Sequence, residues 1–285
     1  MDKKILIACP VRDRAWILPH YLEHIYNIDY PKHLISMYFI INNSSDNSYK
    51  ILEDFKLKHM SEYVNIELDR MYKPNLPIDA RVKDIRDGFT YHWLCELRNK
   101  ILNKCVEMKY DYLLSCDTDI LVPSNIINGL IIDSKTICAS LIYNGYKFSP
   151  IRMNIYNTKL PNNTYDSISL AYKYPNILKL NENDKYEHIV NYAVKNPNIC
   201  DKNKIIDVDG TGAVSLIPFN ACKETRYLYD VQGEDMSWSR ICKLLGYRLC
   251  CKPSIYSQHI MSESLLQDYL NGQLIYANGE VIKII

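Results

Sequence analysis

The chain carries almost no net charge. Its 34 lysines and arginines face 33 aspartates and glutamates, leaving +1 at pH 7, so no bulk electrostatic footprint argues for nucleic acid or an anionic membrane surface as partner. It has no apolar run of about twenty residues, the length a membrane helix needs, and its start, MDKKILIACPVRDR, offers no long apolar signal segment. A soluble, unexported, cytoplasmic protein without a transmembrane segment is expected. Ten cysteines are present but no C-x-x-C spacing, which removes the common zinc and redox motifs. Cys9, Cys95, Cys105, Cys116, Cys138 and Cys242 sit inside apolar periodic runs and are expected as reduced core residues. Cys250 and Cys251 are adjacent, and on a strand they would face opposite sides. Glycine is sparse, 9 in 285 residues. No G-x-G-x-x-G and no early glycine-rich loop exist, so a dinucleotide site is not expected. No internal repeat or low-complexity tract divides the chain, whose 47% hydrophobic and 24% charged content suits one large packed domain.

What is present alternates between strand and helix patterns over the first 140 residues. KILIACP reads as a buried strand stopped by Pro10. Ile17, Leu18, Tyr21, Leu22 and Ile25 then recur at helical spacing. SMYFIINN and YVNIELD read as further strands, separated by the helix YKILEDFKLKHM. WLCELRNKILNKCVEM is a strongly amphipathic helix, followed by the strand YLLSC. Such alternation predicts parallel β-α-β units in a doubly wound α/β sheet, with ligands beyond the carboxyl ends of its strands. From 144 to 204 the pattern weakens into an insertion rich in Asn and Tyr, with one helical stretch, YEHIVNYAVK. Order returns with KIIDVDGTGAVSLIPFNAC, the helix EDMSWSRICKLLG and the strand YRLCCKPSIYSQHI.

At YLLSCDTDI, a buried strand surfaces on Asp117 and Asp119, and the i, i+2 spacing can turn both carboxylates to one side. The plainer alternative is a polar turn in which Asp119 or Ser124 caps the next helix. Further along, Gly210 to Gly212 is either a bulge or a place where small residues leave room for a sugar. Glu234 and Asp235 open a helix, where the helix dipole favours acids. His259 ends the following strand. Each feature alone is weak; their order along the chain is informative.

Taken together, the chain resembles a glycosyltransferase of the GT-A fold, most similar to the family 2 type, over about residues 4 to 143 and 205 to 261. ILIACPVRDRAWILPHYLEHI looks like the opening strand, loop and helix, and FIINNSSDNSYKIL like the acidic turn after the second strand. LRNKILNKC looks like the Arg-Asn helix, SCDTDI like the D-x-D motif, and GEDMSWSRICKLLGYRL like the G-E-D helix. The resemblance implies a single domain, 1–285, with a nucleotide-binding half (1–143), an insertion that acts as an acceptor lid (144–204) and an acceptor or catalytic half (205–285). It implies a nucleotide-diphospho-sugar donor and a glycan, lipid-linked or protein acceptor. Pro10, Arg12, Asn43, Arg98 and Asp117 would face the donor; Asp119, Asp117 and His259 would hold Mn²⁺ or Mg²⁺. Asp235, beside Glu234, would be the general base of an inverting transfer, with Gly212 and Trp238 toward the acceptor. Trp238 on an amphipathic helix has the alternative of simple burial. The family's paired aspartates are Asn42 and Asn43 here, which argues against UDP and keeps GDP, dTDP and CDP open, since an amide still pairs with a base edge.

The chemistry fits these residue types. A nucleotide diphosphate gains negative charge as the sugar bond breaks, a carboxylate-held divalent ion neutralises it, and one placed carboxylate takes the acceptor proton. Two rivals remain at this level: a sugar-phosphate nucleotidyltransferase, which would call for a glycine-rich basic loop where ACPVRDRAW has none, and a nucleotide-sugar-binding module without turnover.

Overall fold

The computed structural model describes residues 2–74, 88–146, 149–152, 155–156, 205–208, 210–230 and 233–271. In chain order the strands are β1 (Ile5–Val11), β2 (Ile35–Asn42), β3 (Asn65–Met71), β4 (Tyr112–Cys116), β5 (Ile120–Leu121), β6 (Thr136–Tyr146), β7 (Ser149–Arg152), β8 (Ile155–Tyr156), β9 (Ile206–Asp207), β10 (Gly210–Thr211), β11 (Val214–Pro218) and β12 (Arg248–His259). The helices are α1 (Leu18–Tyr26), α2 (Ser48–His59), α3 (Gly88–Glu107), α4 (Ile126–Leu130), α5 (Phe219–Glu224), α6 (Glu234–Leu244) and α7 (Glu263–Leu270).

The main sheet runs β3-β2-β1-β4-β11-β6-β12-β5, with β7 beside β6 and β9 beside β12. Its first four strands are parallel; β11 lies antiparallel between β4 and β6, and β12 returns parallel to β6. The result is the expected doubly wound mixed α/β sheet. Alternation along β1 feeds both faces: Ile5, Ile7 and Cys9 enter a core with α1, α2, α4 and α7, while Leu6 and Ala8 enter a second core with α3, α5 and α6. In α3, Leu97, Ile101 and Cys105 recur every four residues and are fully buried, the helical stripe the sequence predicts. Cys250 and Cys251 fall into opposite cores.

Three local readings differ. β1 continues through Pro10 to Val11. Its pairing with β4 ends at Ala8, so beyond that point β1 is bordered by β2 alone and a missing amide is tolerated as on an edge strand. The PFNAC segment leaves the sheet: Pro218 ends β11 and serves as N-cap of α5. The strand expected at YRLCCKPSIYSQHI forms as β12, which spans Pro253 by a register shift between Lys252 and Tyr256, the bulge that lets a strand absorb a proline. β6 is a strand the sequence pattern did not set apart. Of the insertion, β7, β8 and the end of β6 are described, while YEHIVNYAVK lies outside the described residues.

Candidate active site

The strand order places a switch point between β1 and β4: β2 and β3 extend the sheet one way from β1, and the strands after β4 extend it the other. Sheets of this kind bind ligands in the crevice outside the carboxyl ends at that point. Two loops border it, 12–17 after β1 and 117–119 after β4.

The D-T-D segment is a turn, closed by the Ile120 amide donating to the Asp117 carbonyl at 3.1 Å. It sends its carboxylates to different partners. Asp117 pairs with Arg98, whose Nη2 lies 2.9 Å away, while Arg98 Nη1 donates to Ser115 Oγ at 3.2 Å. Burial alone would favour a neutral guanidine at Arg98, but Asp117 and then Asp235 outweigh it and hold its pKa well above the ordinary arginine value. Asp119 is 9% exposed. Its Oδ2 accepts from Arg14 Nη2 at 3.1 Å, and its Oδ1 stands 3.5 Å from His259 Nε2. Backbone register explains that meeting: β12 pairs antiparallel with β5 so that His259 lies opposite Ile120, and the Ile260 amide donates to the Asp119 carbonyl at 2.8 Å. Asp119 therefore does not cap a helix; the N-cap of α4 is Asn125, without a side-chain cap bond.

The other expected residues sort as follows. Glu234 and Asp235 open α6 after Gly233, whose φ of 102° suits glycine and whose missing Cβ would meet the Tyr91 ring at 3.4 Å. Glu234 is buried at 3% exposure. Both acids lie within electrostatic reach of Arg98 and Cys95, so Arg98 sits between the D-T-D turn and the start of α6. Gly212 is buried in an elbow: Thr211 on its one side is tied to Ser239 of α6, and Ala213 on the other accepts from the Asp117 amide at 2.9 Å. Ala213 holds φ at 57°, a left-handed conformation costly for a residue with a Cβ. Pro10 lies half-buried at the end of β1.

Four of the expected residues have other surroundings than the motifs suggest. Asp117 is not gathered into a common ligand set with Asp119 and His259: among the described residues no group of three metal-ligating side chains forms, because the turn aims Asp117 at Arg98. Asn43 exchanges two bonds with the Lys73 backbone: its Oδ1 accepts from the Lys73 amide at 2.9 Å and its Nδ2 donates to the Lys73 carbonyl at 2.8 Å. Asn42 is likewise engaged, with Val11 and Trp93. Arg12 lies 3.9 Å from Asp13, and the guanidinium at Asp119 belongs to Arg14. Trp238 is 1% exposed, stacked on Tyr227 with ring centroids 5.0 Å apart and donating from Nε1 to Thr225 Oγ1 at 2.8 Å; no ring face is left for a sugar.

Sequence reasoning missed Arg14 and the role of Asn99. The Asn99 side chain exchanges two bonds, at 2.9 and 2.8 Å, with the Tyr227 backbone, so the Arg-Asn pair of α3 secures both the D-T-D turn and the approach to α6. Nothing in the spacing of R-D-R tells which arginine folds back. An open cavity of about 570 Å³ lined by Lys3, Lys109, Tyr110, Asp111, Tyr112 and Lys223 lies at the other end of β4 and takes no part in this site.

A divalent ion can be tested against this geometry. Neighbouring ligands of an octahedral ion at about 2.1 Å lie about 3 Å apart, and the 3.5 Å between Asp119 and His259 leaves room for an ion bridging them after a small adjustment. Hard divalent ions complete their shell with waters and substrate phosphates, so two protein ligands are enough. Asp119 and His259 are the residues that fit.

The sheet order and the site together define a glycosyltransferase domain of the GT-A fold. More particularly, the chain belongs to the family described as glycosyltransferase family 25, N-terminal domain, whose model matches residues 2–174; the motifs had suggested the family 2 type, and the fold and class expected from them are those found. The chain is 27% identical to procollagen galactosyltransferase 1-B of Xenopus laevis over 139 residues, which is 48% of this chain and 23% of that protein. It is 22% identical to the mannan polymerase II complex anp1 subunit of Schizosaccharomyces pombe over 291 residues, covering 92% of this chain and 65% of that one. It thus spans about a quarter of the first relative's length and two thirds of the second's. Among solved structures, GalNAc-T7 with UDP, GalNAc and Mn²⁺ matches with a TM-score of 0.56 at 16% identity, covering 90% of this chain and 43% of that one, a likeness of fold. Among the described residues no helix is long and apolar enough to cross a membrane.

Proposed function

We propose that the chain transfers a sugar from a nucleotide-diphospho-sugar to an acceptor hydroxyl, using a divalent ion held by Asp119 and His259. The observation that carries this reading is the Asp119–His259 pair, 3.5 Å apart, at the carboxyl edge where β1 and β4 diverge. The ion, Mn²⁺ or Mg²⁺, supplies charge neutralisation for the departing diphosphate. Asp117, held by Arg98, faces the donor edge, and Arg98 adds positive charge beneath it. Asp235 is the general base: it opens α6 where the helix dipole favours the carboxylate, and its neighbour Glu234 is buried. A single base on the face opposite the leaving group gives inversion at the anomeric carbon. The acceptor is a glycan, a lipid-linked sugar or a protein, and the 144–204 insertion contributes to its selection. A cytoplasmic setting is supported by nine described cysteines that are buried thiols, since disulfides are rare in that compartment.

The test is incubation with GDP-, UDP-, dTDP- and CDP-sugars, Mn²⁺ and a mixed acceptor panel. Nucleotide diphosphate release dependent on Mn²⁺, with an inverted anomeric signal by proton NMR, is expected. A retained configuration removes the single-displacement mechanism. Release of pyrophosphate from a nucleoside triphosphate and a sugar phosphate replaces the transferase reading with a nucleotidyltransferase.

A further inference from the structure

We propose that Arg14 is the second cation of this site: it shares Asp119 with the divalent ion and directs its remaining N–H groups onto the donor diphosphate. The inference rests on the ion-binding reading of Asp119 and His259, and it adds a residue that the motifs did not single out.

Three observations carry it. The first is the division of the Asp119 carboxylate, whose Oδ2 accepts from Arg14 at 3.1 Å while Oδ1 faces His259 at 3.5 Å. An ion entering between Oδ1 and the imidazole leaves the Arg14 contact in place. The second is how firmly the chain aims this side chain. Asp13 adopts φ of 48°, which turns the backbone so that Arg14 folds back, and Arg14 Nη1 donates to the Arg12 carbonyl at 2.9 Å. The polar turn after β2 clamps the loop from outside. Ser48 Oγ accepts from the Arg14 amide at 2.8 Å, Ser44 Oγ from the Asp13 amide at 3.1 Å, Asp13 Oδ1 from the Ser45 amide at 2.8 Å and Asp46 Oδ2 from the Ala15 amide at 2.8 Å. The Arg14 carbonyl accepts from the Ile17 and Leu18 amides as α1 begins. A solvated surface arginine needs no such framework. The third is burial: the Arg14 and Asp119 side chains are only 15% and 13% exposed, so the pair interacts through poorly screening surroundings.

Charge balance then assigns the role. A divalent ion and a guanidinium sharing one carboxylate leave about two positive charges, which complement the diphosphate of a nucleotide sugar and grow in value as the leaving group gains charge. Guanidinium is suited to this by its planar fork of donors, which matches phosphate oxygens. The polar turn S-S-D-N-S thereby acts on the donor indirectly, by fixing the loop that presents Arg14.

The experiment compares the parent with Arg14→Gln and Arg14→Lys, each checked for an unchanged far-UV CD spectrum and cooperative melting. Mn²⁺ binding to nucleotide-free protein is read by electron paramagnetic resonance. Binding of GDP, UDP, dTDP and CDP, and of the matching nucleosides, is read by calorimetry. For Arg14→Gln, Mn²⁺ binding should tighten about tenfold, because a cation next to the ion is gone. The nucleotide diphosphate the parent prefers should bind about tenfold or more weakly, as expected for losing a charged hydrogen bond, with its nucleoside unchanged. Lysine should restore part of the diphosphate affinity. Unchanged or weaker Mn²⁺ binding overturns the sharing of Asp119, and equal losses for diphosphate and nucleoside show that Arg14 merely supports the loop. A parent that binds no Mn²⁺ in any state fails the ion reading instead, and the comparison of diphosphate with nucleoside then decides the Arg14 contact alone. A parent that binds none of the four diphosphates overturns both.

Discussion

Arg98 and Asp117 meet at 2.9 Å, the arginine side chain 7% and the aspartate side chain 30% exposed. The same guanidinium lies in the field of Asp235 and Glu234. One buried positive charge therefore underlies both the D-T-D turn and the start of α6.

Arg98→Met keeps much of the side-chain volume and removes the charge. Asp117, Glu234 and Asp235 then lose their common partner, so stability should fall by about 3 kcal/mol or more, as for other broken buried pairs. Urea unfolding read by tryptophan fluorescence checks this. A loss under 1 kcal/mol would show that solvent screens these acids more than their burial implies.

Asp46 makes stability depend on acid through the loop that carries Arg14. Burial alone would raise its pKa, but bonds from the Ser48 hydroxyl and from the Ala15 and Ser48 amides lower it below the ordinary 3.8. A lowered folded value means the contribution is present above the unfolded pKa and is lost as pH falls through the folded one. Asp46→Asn should therefore melt below the parent at pH 6, by about 0.5–1 kcal/mol given how exposed the group is. The gap should close toward pH 3. A gap independent of pH would mean that the charge of Asp46 contributes nothing.

Asp235→Asn keeps size and removes proton-accepting capacity. Transfer should drop by about a hundredfold or more while donor affinity changes little. Single-turnover kinetics with a saturating donor separate the two effects. A variant that turns over at the parent rate transfers the role of base to another residue.

The fold was legible because its strands are short apolar runs ended by polar turns, and its helices, α3 above all, carry a plain apolar stripe. The D-T-D turn, the G-E-D helix start and His259 were legible as a set through their order. What the sequence could not disclose were partnerships set by distant backbone. Asp117 and Asp119 look like one site at i, i+2 spacing, yet the turn at Thr118 separates them, one toward α3 and the other toward β12. Arg12 and Arg14 are equivalent on paper, and the left-handed Asp13 decides between them. Asn43 has the chemistry of a base reader, and the Lys73 backbone, thirty residues away, makes one bond with each of its amide atoms. Trp238 has both a sugar-stacking face and a place on an apolar stripe, and packing against Tyr227 settles it in the core.

The most direct test of the ion site is calorimetric titration of Mn²⁺ into the parent and into Asp119→Ala, with and without the nucleotide diphosphate the parent prefers. The account predicts that the nucleotide and Mn²⁺ strengthen each other's binding in the parent, and that Asp119→Ala abolishes this mutual effect while melting remains cooperative. Undiminished coupling in Asp119→Ala at excess Mn²⁺ would contradict it and remove Asp119 from the ion's shell.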